Sequence, residues 1–122
     1  MLQFDYEEAH AQKVTGLLGF SDQLVGWEAI AIVLTDLALV VRVDADTDEL
    51  AVNLETAPSA VGGWRRLTEL QDAVGSELGW CWIGRNYLGY LDMFTLSFSG
   101  VVPQVCFVGE ASCVRIMRIV QA

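Results

Sequence analysis

The stretch from Gly79 to Ser99, GWCWIGRNYLGYLDMFTLSFS, constrains the fold more than any other part of this chain. Phe94, Leu96 and Phe98 alternate with Met93, Thr95, Ser97 and Ser99, the period of a half-buried strand. Upstream, Leu78, Trp80 and Trp82 alternate with Gly79, Cys81 and Ile83. Between the two runs, Asn86 and Gly89 are turn residues, and Gly89 can supply a positive φ. The segment therefore reads as one β-hairpin. It gathers two tryptophans, two tyrosines, an arginine, an asparagine and an aspartate by local structure alone.

The same alternation runs through much of the chain. In VGWEAIAIVLTD, from Val25, Ile30, Ile32 and Leu34 alternate with Ala29, Ala31 and Val33, so both faces are apolar, as in a central strand. Leu37 to Val43 follows after a turn at Thr35 and Asp36, and Leu50 to Glu55 follows the polar turn DADTDE. Gln104 to Val108 and Cys113 to Val120 form a last hairpin around Gly109 and Glu110. Tight turns between consecutive strands demand antiparallel pairing.

Two segments read as helical. Residues 5–14, DYEEAHAQKV, carry acids in the first turn, which suits the helix dipole. After the loop TAPSAVGG, WRRLTELQDAV places Trp64, Leu67, Leu70, Gln71 and Val74 at three- and four-residue spacing, with Gly75 as a stop. The expected fold is α+β: a single, curved antiparallel β-sheet of about seven short strands, with one or two helices packed on it. A partly open β-barrel is the alternative. At 122 residues the chain fits one domain, 1–122, large enough for a core without staples.

Charge and cysteine usage narrow the class. Residues 1–60 hold eleven acids against Lys13 and Arg42, whereas residues 61–122 balance. A net charge of −9 argues against nucleic acid and against an anionic membrane as partners, and permits a basic protein. No apolar run approaches the ~18 residues of a membrane span, and the acidic start MLQFDYEEAH is no secretory signal. Cys81, Cys106 and Cys113 lie in apolar strands without CxxC spacing and read as buried reduced thiols of a cytoplasmic protein.

Chemistry-bearing motifs are few. DADTDELAVNLE imitates a calcium loop, with Asp44, Asp46 and Asp48 at positions one, three and five and Glu55 at twelve. Glu49 stands where the bend calls for Gly, and the flanks are strands, so the segment reads as a solvated Asp-rich turn. His10 is the only histidine, and no GxGxxG, GxxxxGK[ST] or GxSxG occurs. No metal, cofactor or catalytic residue is expected on these grounds. The candidate binding residues are Trp80, Trp82, Arg85, Asn86, Tyr90 and Asp92. Trp, Tyr and Arg dominate interface hot spots, and the same group could wall a polar ligand. The competing account is that cross-strand aromatics and an Arg–Asp pair simply brace a hairpin.

At this hairpin the chain resembles a family of small bacterial proteins classed as a domain of unknown function. That family's pattern is a Trp-x-Trp strand, then Asn-x-x-Gly-Tyr-x-Asp, then an alternating strand and an Ala-Ser-rich closing strand. Here these are Trp80, Trp82, Asn86, Gly89, Tyr90 and Asp92, with GEASCVRIMRI at the end and DTDEL (Asp46 to Leu50) earlier. Arg85 and Tyr87 stand outside the pattern. The resemblance implies a small bacterial cytoplasmic protein and carries no activity.

Two functional expectations follow. The first is a non-enzymatic protein-interaction domain, inhibitor- or immunity-like, with a basic partner steered by the acidic half and anchored by the hairpin. It demands an exposed acidic and aromatic patch. The second is a small-molecule-binding module or minor enzyme with a pocket at the 80–92 hairpin. It demands a concavity with Arg85, Tyr90 or Asp92 turned inward. The absence of a proton-transfer pair argues against catalysis. Exposed edge strands leave a homodimer open.

Overall fold

The computed structural model describes residues 2–21, 26–59 and 62–119. Val25, Val120 and the 60–61 part of the expected loop lie outside the described residues. Among the described residues, nine strands make up nearly all of the regular structure: β1 (Gly16–Phe20), β2 (Ala29–Val33), β3 (Leu37–Val43), β4 (Leu50–Thr56), β5 (Trp64–Arg66), β6 (Leu78–Arg85), β7 (Leu91–Phe98), β8 (Val105–Glu110) and β9 (Cys113–Arg118). They form two antiparallel sheets, one ordered β4-β3-β2-β1-β5 and the other β6-β7-β8-β9.

The expected single sheet with a packed helix is therefore corrected: the protein is nearly all β, with two sheets and no α-helix among the described residues. Neither sheet closes on itself, which also overturns the barrel alternative. In the segment read as a helix from Trp64 to Val74, the first three residues pair with β1 as edge strand β5. The rest, Thr68–Ala73, is a 3-10 helix kinked at Leu70. Its buried residues Leu67, Leu70 and Ala73 recur every third position, the 3-10 period, while Val74 is exposed. Near the N-terminus only Tyr6–Glu8 is helical, again 3-10, capped by the Asp5 side chain accepting from the Glu7 N–H at 3.0 Å.

Register explains the core. Ile30 opposes Val41, Ile32 opposes Leu39, and Val41 opposes Val52, so these side chains share the inner face of the first sheet. Phe94 opposes Phe107, and Leu96 opposes Val105, on the inner face of the second. Both sets belong to one buried cluster, so the sheets stack as a sandwich. The outer face of the first sheet is also apolar: Ala29, Ala31, Ala38 and Val40 are buried beneath Leu18, Phe20 and Trp64.

Trp27 stitches the sheets together. It forms an isolated antiparallel bridge with Val114, whose N–H donates to the Trp27 carbonyl at 2.7 Å. Its indole lies across Gly19, where a Cβ would come within 2.5 Å of the ring, and the Arg65 guanidinium sits 5.2 Å from the ring centroid. No helix among the described residues is long and apolar enough to cross a membrane.

The N-terminal segment closes one end of the second sheet. The Tyr6 hydroxyl donates to the Gly79 carbonyl at 2.9 Å. Burial, and secondarily the neighbouring Cys81, push the Tyr6 phenol well above its ordinary range, and burial pushes the Cys81 thiol up to about 11. Both groups hold their protons in the folded chain at pH values where the unfolded chain releases them. Their contribution is thus complete below pH 9 and declines as pH rises through 9 to 11 and beyond. Tyr6→Phe is expected to cost about 1 kcal/mol at neutral pH through the lost hydrogen bond. It is also expected to flatten the loss of stability above pH 10, the ordinary phenol value. Urea midpoints measured from pH 7 to 11 check both effects.

Candidate functional site

The hairpin forms as its sequence pattern requires, with Cys81 opposite Leu96, Trp82 opposite Thr95 and Arg85 opposite Leu91. Register shifts fall between Leu78 and Cys81 and between Gly84 and Arg85, so the strand bends at both ends. The turn is held chiefly by the Asn86 side chain. Asn86 Oδ1 accepts from the N–H groups of Leu88 at 2.9 Å and Tyr90 at 3.2 Å, and Asn86 Nδ2 donates to Asp92 Oδ2 at 3.2 Å. Arg85 donates to the Gly89 carbonyl at 3.1 Å. Gly89, at φ 89°, takes the left-handed conformation that the turn needs.

Asn86, Asp92 and Arg85 thus each turn a polar atom onto the turn itself. What the turn presents outward is apolar: Tyr87 is 95% exposed and Leu88 63%. Tyr90 is also exposed. Neither Tyr87 nor Leu88 was singled out by the sequence. Their signal was only that the Asn-x-x-Gly turn has two bulky residues at its centre, where polar residues are usual. Asn86→Ala removes three hydrogen bonds at the tip and is expected to destabilise the protein by about 1–2 kcal/mol. The amide resonances of Leu88 and Tyr90 should broaden or shift in the same variant.

The two tryptophans do not join this tip. Trp82 is half-buried opposite Thr95. Trp80 is exposed at the far end of β6, beside Tyr6, Glu7, His10 and Cys81. Two cavities beside Trp80 are lined by residues 6, 7, 10, 11, 13, 75, 77–81 and 99–101 among the described residues, away from Arg85, Asn86, Tyr90 and Asp92.

The acidic turn, by contrast, lies at the same end as the hairpin tip. Ser112 donates from its N–H to Asp48 Oδ1 at 2.8 Å and from its hydroxyl to the Ala45 carbonyl at 2.8 Å. These bonds fasten the β3–β4 turn to the β8–β9 turn. Met93 opposes Val108, so the Leu91 end of β7 runs beside Glu110. With strands about 4.8 Å apart, the β6–β7 and β8–β9 turns sit about 10 Å from each other. One end of the sandwich therefore carries Tyr87, Leu88 and Tyr90 beside Asp44, Asp46, Asp48, Glu49 and Glu110.

The carboxylates at this end are partly committed. Asp44 Oδ1 accepts from the Asp46 N–H at 2.9 Å, Asp48 is bonded to Ser112, and Glu110 pairs with Arg115 at 2.9 Å. Glu55 pairs with Arg42 on the neighbouring strand rather than turning toward the three aspartates. Among the described residues no group of three or more His, Cys, Asp or Glu is placed to share a metal ion. Cys81 and Cys106 take part in no disulfide among the described residues.

Fold and site together define an all-β sandwich with a loop-built end face, acidic on one flank and aromatic on the other. A family-model match over residues 1–122 goes further, and the chain belongs to a family of unknown function, DUF6334. No curated protein and no solved structure matches it.

Proposed function

We propose that this chain is a non-enzymatic, cytoplasmic protein-interaction domain whose acidic and aromatic end face docks a basic protein. The observation that carries the reading is Tyr87, 95% exposed at the tip of a turn that is otherwise braced from within. An aromatic ring held out on a rigid turn costs little entropy to immobilise in a partner's pocket. The adjacent carboxylates supply the field that speeds encounter with a basic surface. Cys106, buried in an apolar strand and outside any disulfide among the described residues, supports a reducing compartment. A partner bound this way is blocked wherever the face covers it, which is the mode of an inhibitor or immunity-type protein.

The test is affinity capture with the wild-type chain and with Tyr87→Ser/Leu88→Ser as baits. The reading requires a basic protein retained in stoichiometric amount by the wild type, released by raised salt and missing from the double variant. The same proteins on both baits would refute it.

A further inference from the structure

We propose that the groove at the start of β6 binds a small aromatic zwitterion, of the class of the aromatic amino acids. The groove is a cavity of about 430 Å³ built by three chain segments: His10, Ala11 and Lys13; Gly75 and Glu77 to Trp80; and Ser99 to Val101. It lies at the opposite end of β6 from the hairpin tip, about 20 Å away at ~3.3 Å per residue, so it is separate from the end face.

Three observations converge on it. First, the groove collects the chain's only histidine, His10, its only lysine, Lys13, and the most exposed of its tryptophans, Trp80. Distant parts of the sequence supply these, and the fold brings them together by the antiparallel bridge between Lys13 and Glu77. Second, the polar side-chain groups of the groove are open to a ligand. The Lys13 ammonium, the Glu77 carboxylate and the His10 ring make no hydrogen bond or ion pair with the described residues, although Lys13 and Glu77 stand opposite each other. Third, the walls are rigid and strained. Ala11 at φ 68° and Ser99 at φ 60° are non-glycine residues held in the left-handed region. They are held by Ala11 N–H to the Leu78 carbonyl at 2.7 Å and by Ser99 N–H to the Glu77 carbonyl at 2.6 Å. Glu77 N–H donates in return to Ser99 Oγ at 3.1 Å. Trp80 N–H donates to Ser97 Oγ at 2.7 Å and to the Gly100 carbonyl at 3.2 Å. The approach is so close at Gly79 that a Cβ there would meet the Gly100 carbonyl oxygen at 2.4 Å.

The charge pattern selects the ligand class. A plain anion is repelled by a chain of net charge −9, and a plain cation finds carboxylates all over the surface. Only a molecule bearing both charges gains from Lys13 and Glu77 at once, its carboxylate to the ammonium and its ammonium to the carboxylate. Trp80 adds a flat wall for a ring. A second cavity, lined by Tyr6, Glu7, His10, Trp80 and Cys81, adjoins the first through His10 and Trp80 and gives the ring room to extend.

The experiment is a titration of the ¹⁵N-labelled chain with L-phenylalanine, phenethylamine and 3-phenylpropionate, followed by amide shifts. Saturable shifts are expected for phenylalanine at residues 10–13, 75–80 and 99–101. Its affinity should exceed that of either singly charged analogue by about fivefold or more. Lys13→Met should reduce phenylalanine to the level of phenethylamine, Glu77→Gln to that of 3-phenylpropionate, and Trp80→Ala should remove the shifts. The Lys13 and Glu77 substitutions are at exposed positions and leave the core intact. The proposal is overturned by absent or non-saturable shifts, by shifts centred elsewhere, or by equal affinity for the three compounds. Each of these results leaves the end-face reading standing, since that rests on Tyr87 and Leu88.

Discussion

Gly109→Ala is expected to lower the melting temperature by about 10 °C and to unseat the acidic turn. Gly109 lies on the inner face of β8, and its partner across the ladder is the buried Val114. A Cβ there would stand 1.9 Å from the Asp48 carbonyl oxygen and 3.4 Å from a Leu50 methyl. The nearest obstacle is backbone, so no rotamer change relieves it. Either β8 moves away from the first sheet or the β3–β4 turn lifts from the β8–β9 turn. Overpacking of this kind costs about 2–3 kcal/mol, and each kcal/mol is worth about 4 °C in a domain of this size. Asp48 is additionally held at φ 60° by its Asp44 carbonyl contact and by Ser112, so the turn has little slack. Thermal unfolding checks the magnitude, and amide shifts at residues 44–49 and 112 check the location. A melting point within about 2 °C of wild type would mean that the two turns are not packed as described.

The second large effect concerns the tip. Tyr87→Ser/Leu88→Ser removes two side chains that touch little of their own fold, since they are 95% and 63% exposed. Folding stability should stay within about 0.5 kcal/mol of wild type. Binding should not. Aromatic anchors at interface centres cost about 2–4 kcal/mol when truncated, a loss of at least about 30-fold in affinity. Neutralising the turn by Asp44→Asn and Asp46→Asn acts differently, because Asp44 and Asp46 supply field rather than packing. It should slow association and weaken its salt dependence while changing dissociation little.

Much of the second sheet was legible in the sequence. The 78–98 hairpin announces itself by alternation and by the Asn86–Gly89 turn, and so does the last hairpin, although Gly109 and Glu110, expected as its turn, belong to β8 and the chain reverses at Ala111 and Ser112. The β2–β3–β4 meander did likewise, each strand falling within a residue or two of its expected bounds. β1 was missed because GLLGF has two glycines, no β-branched residue and no alternation. Its glycines make sense only in three dimensions, where Gly19 leaves room for the Trp27 ring. β5 was absorbed into a helix because Trp64, Leu67 and Leu70 fall at helical spacing, yet Trp64 packs on the outer sheet face and the two leucines in the core. The division into two sheets has no local signal at all. It follows from the Trp27–Val114 bridge and from which side chains share the interior.

The candidate site was legible to the same degree. Asn86 and Asp92 are both candidate binding residues in the sequence, and they do meet, but as a brace of the hairpin, with Asn86 rather than Arg85 on Asp92. Trp80 was grouped with the hairpin tip, whereas the length of β6 carries it to the other end of the sheet. The meeting of an aromatic turn with an acidic turn forty residues away in sequence depends on strand directions in two sheets, which no window of sequence contains.

The most direct measurement is calorimetric titration of the captured basic partner into the wild-type chain and into Tyr87→Ser/Leu88→Ser, with the melting temperature of both recorded. An end face that docks a protein predicts one-to-one binding to the wild type, a loss of at least about 30-fold in the double variant, and unchanged melting. Equal affinity for the two chains, at equal stability, would contradict it.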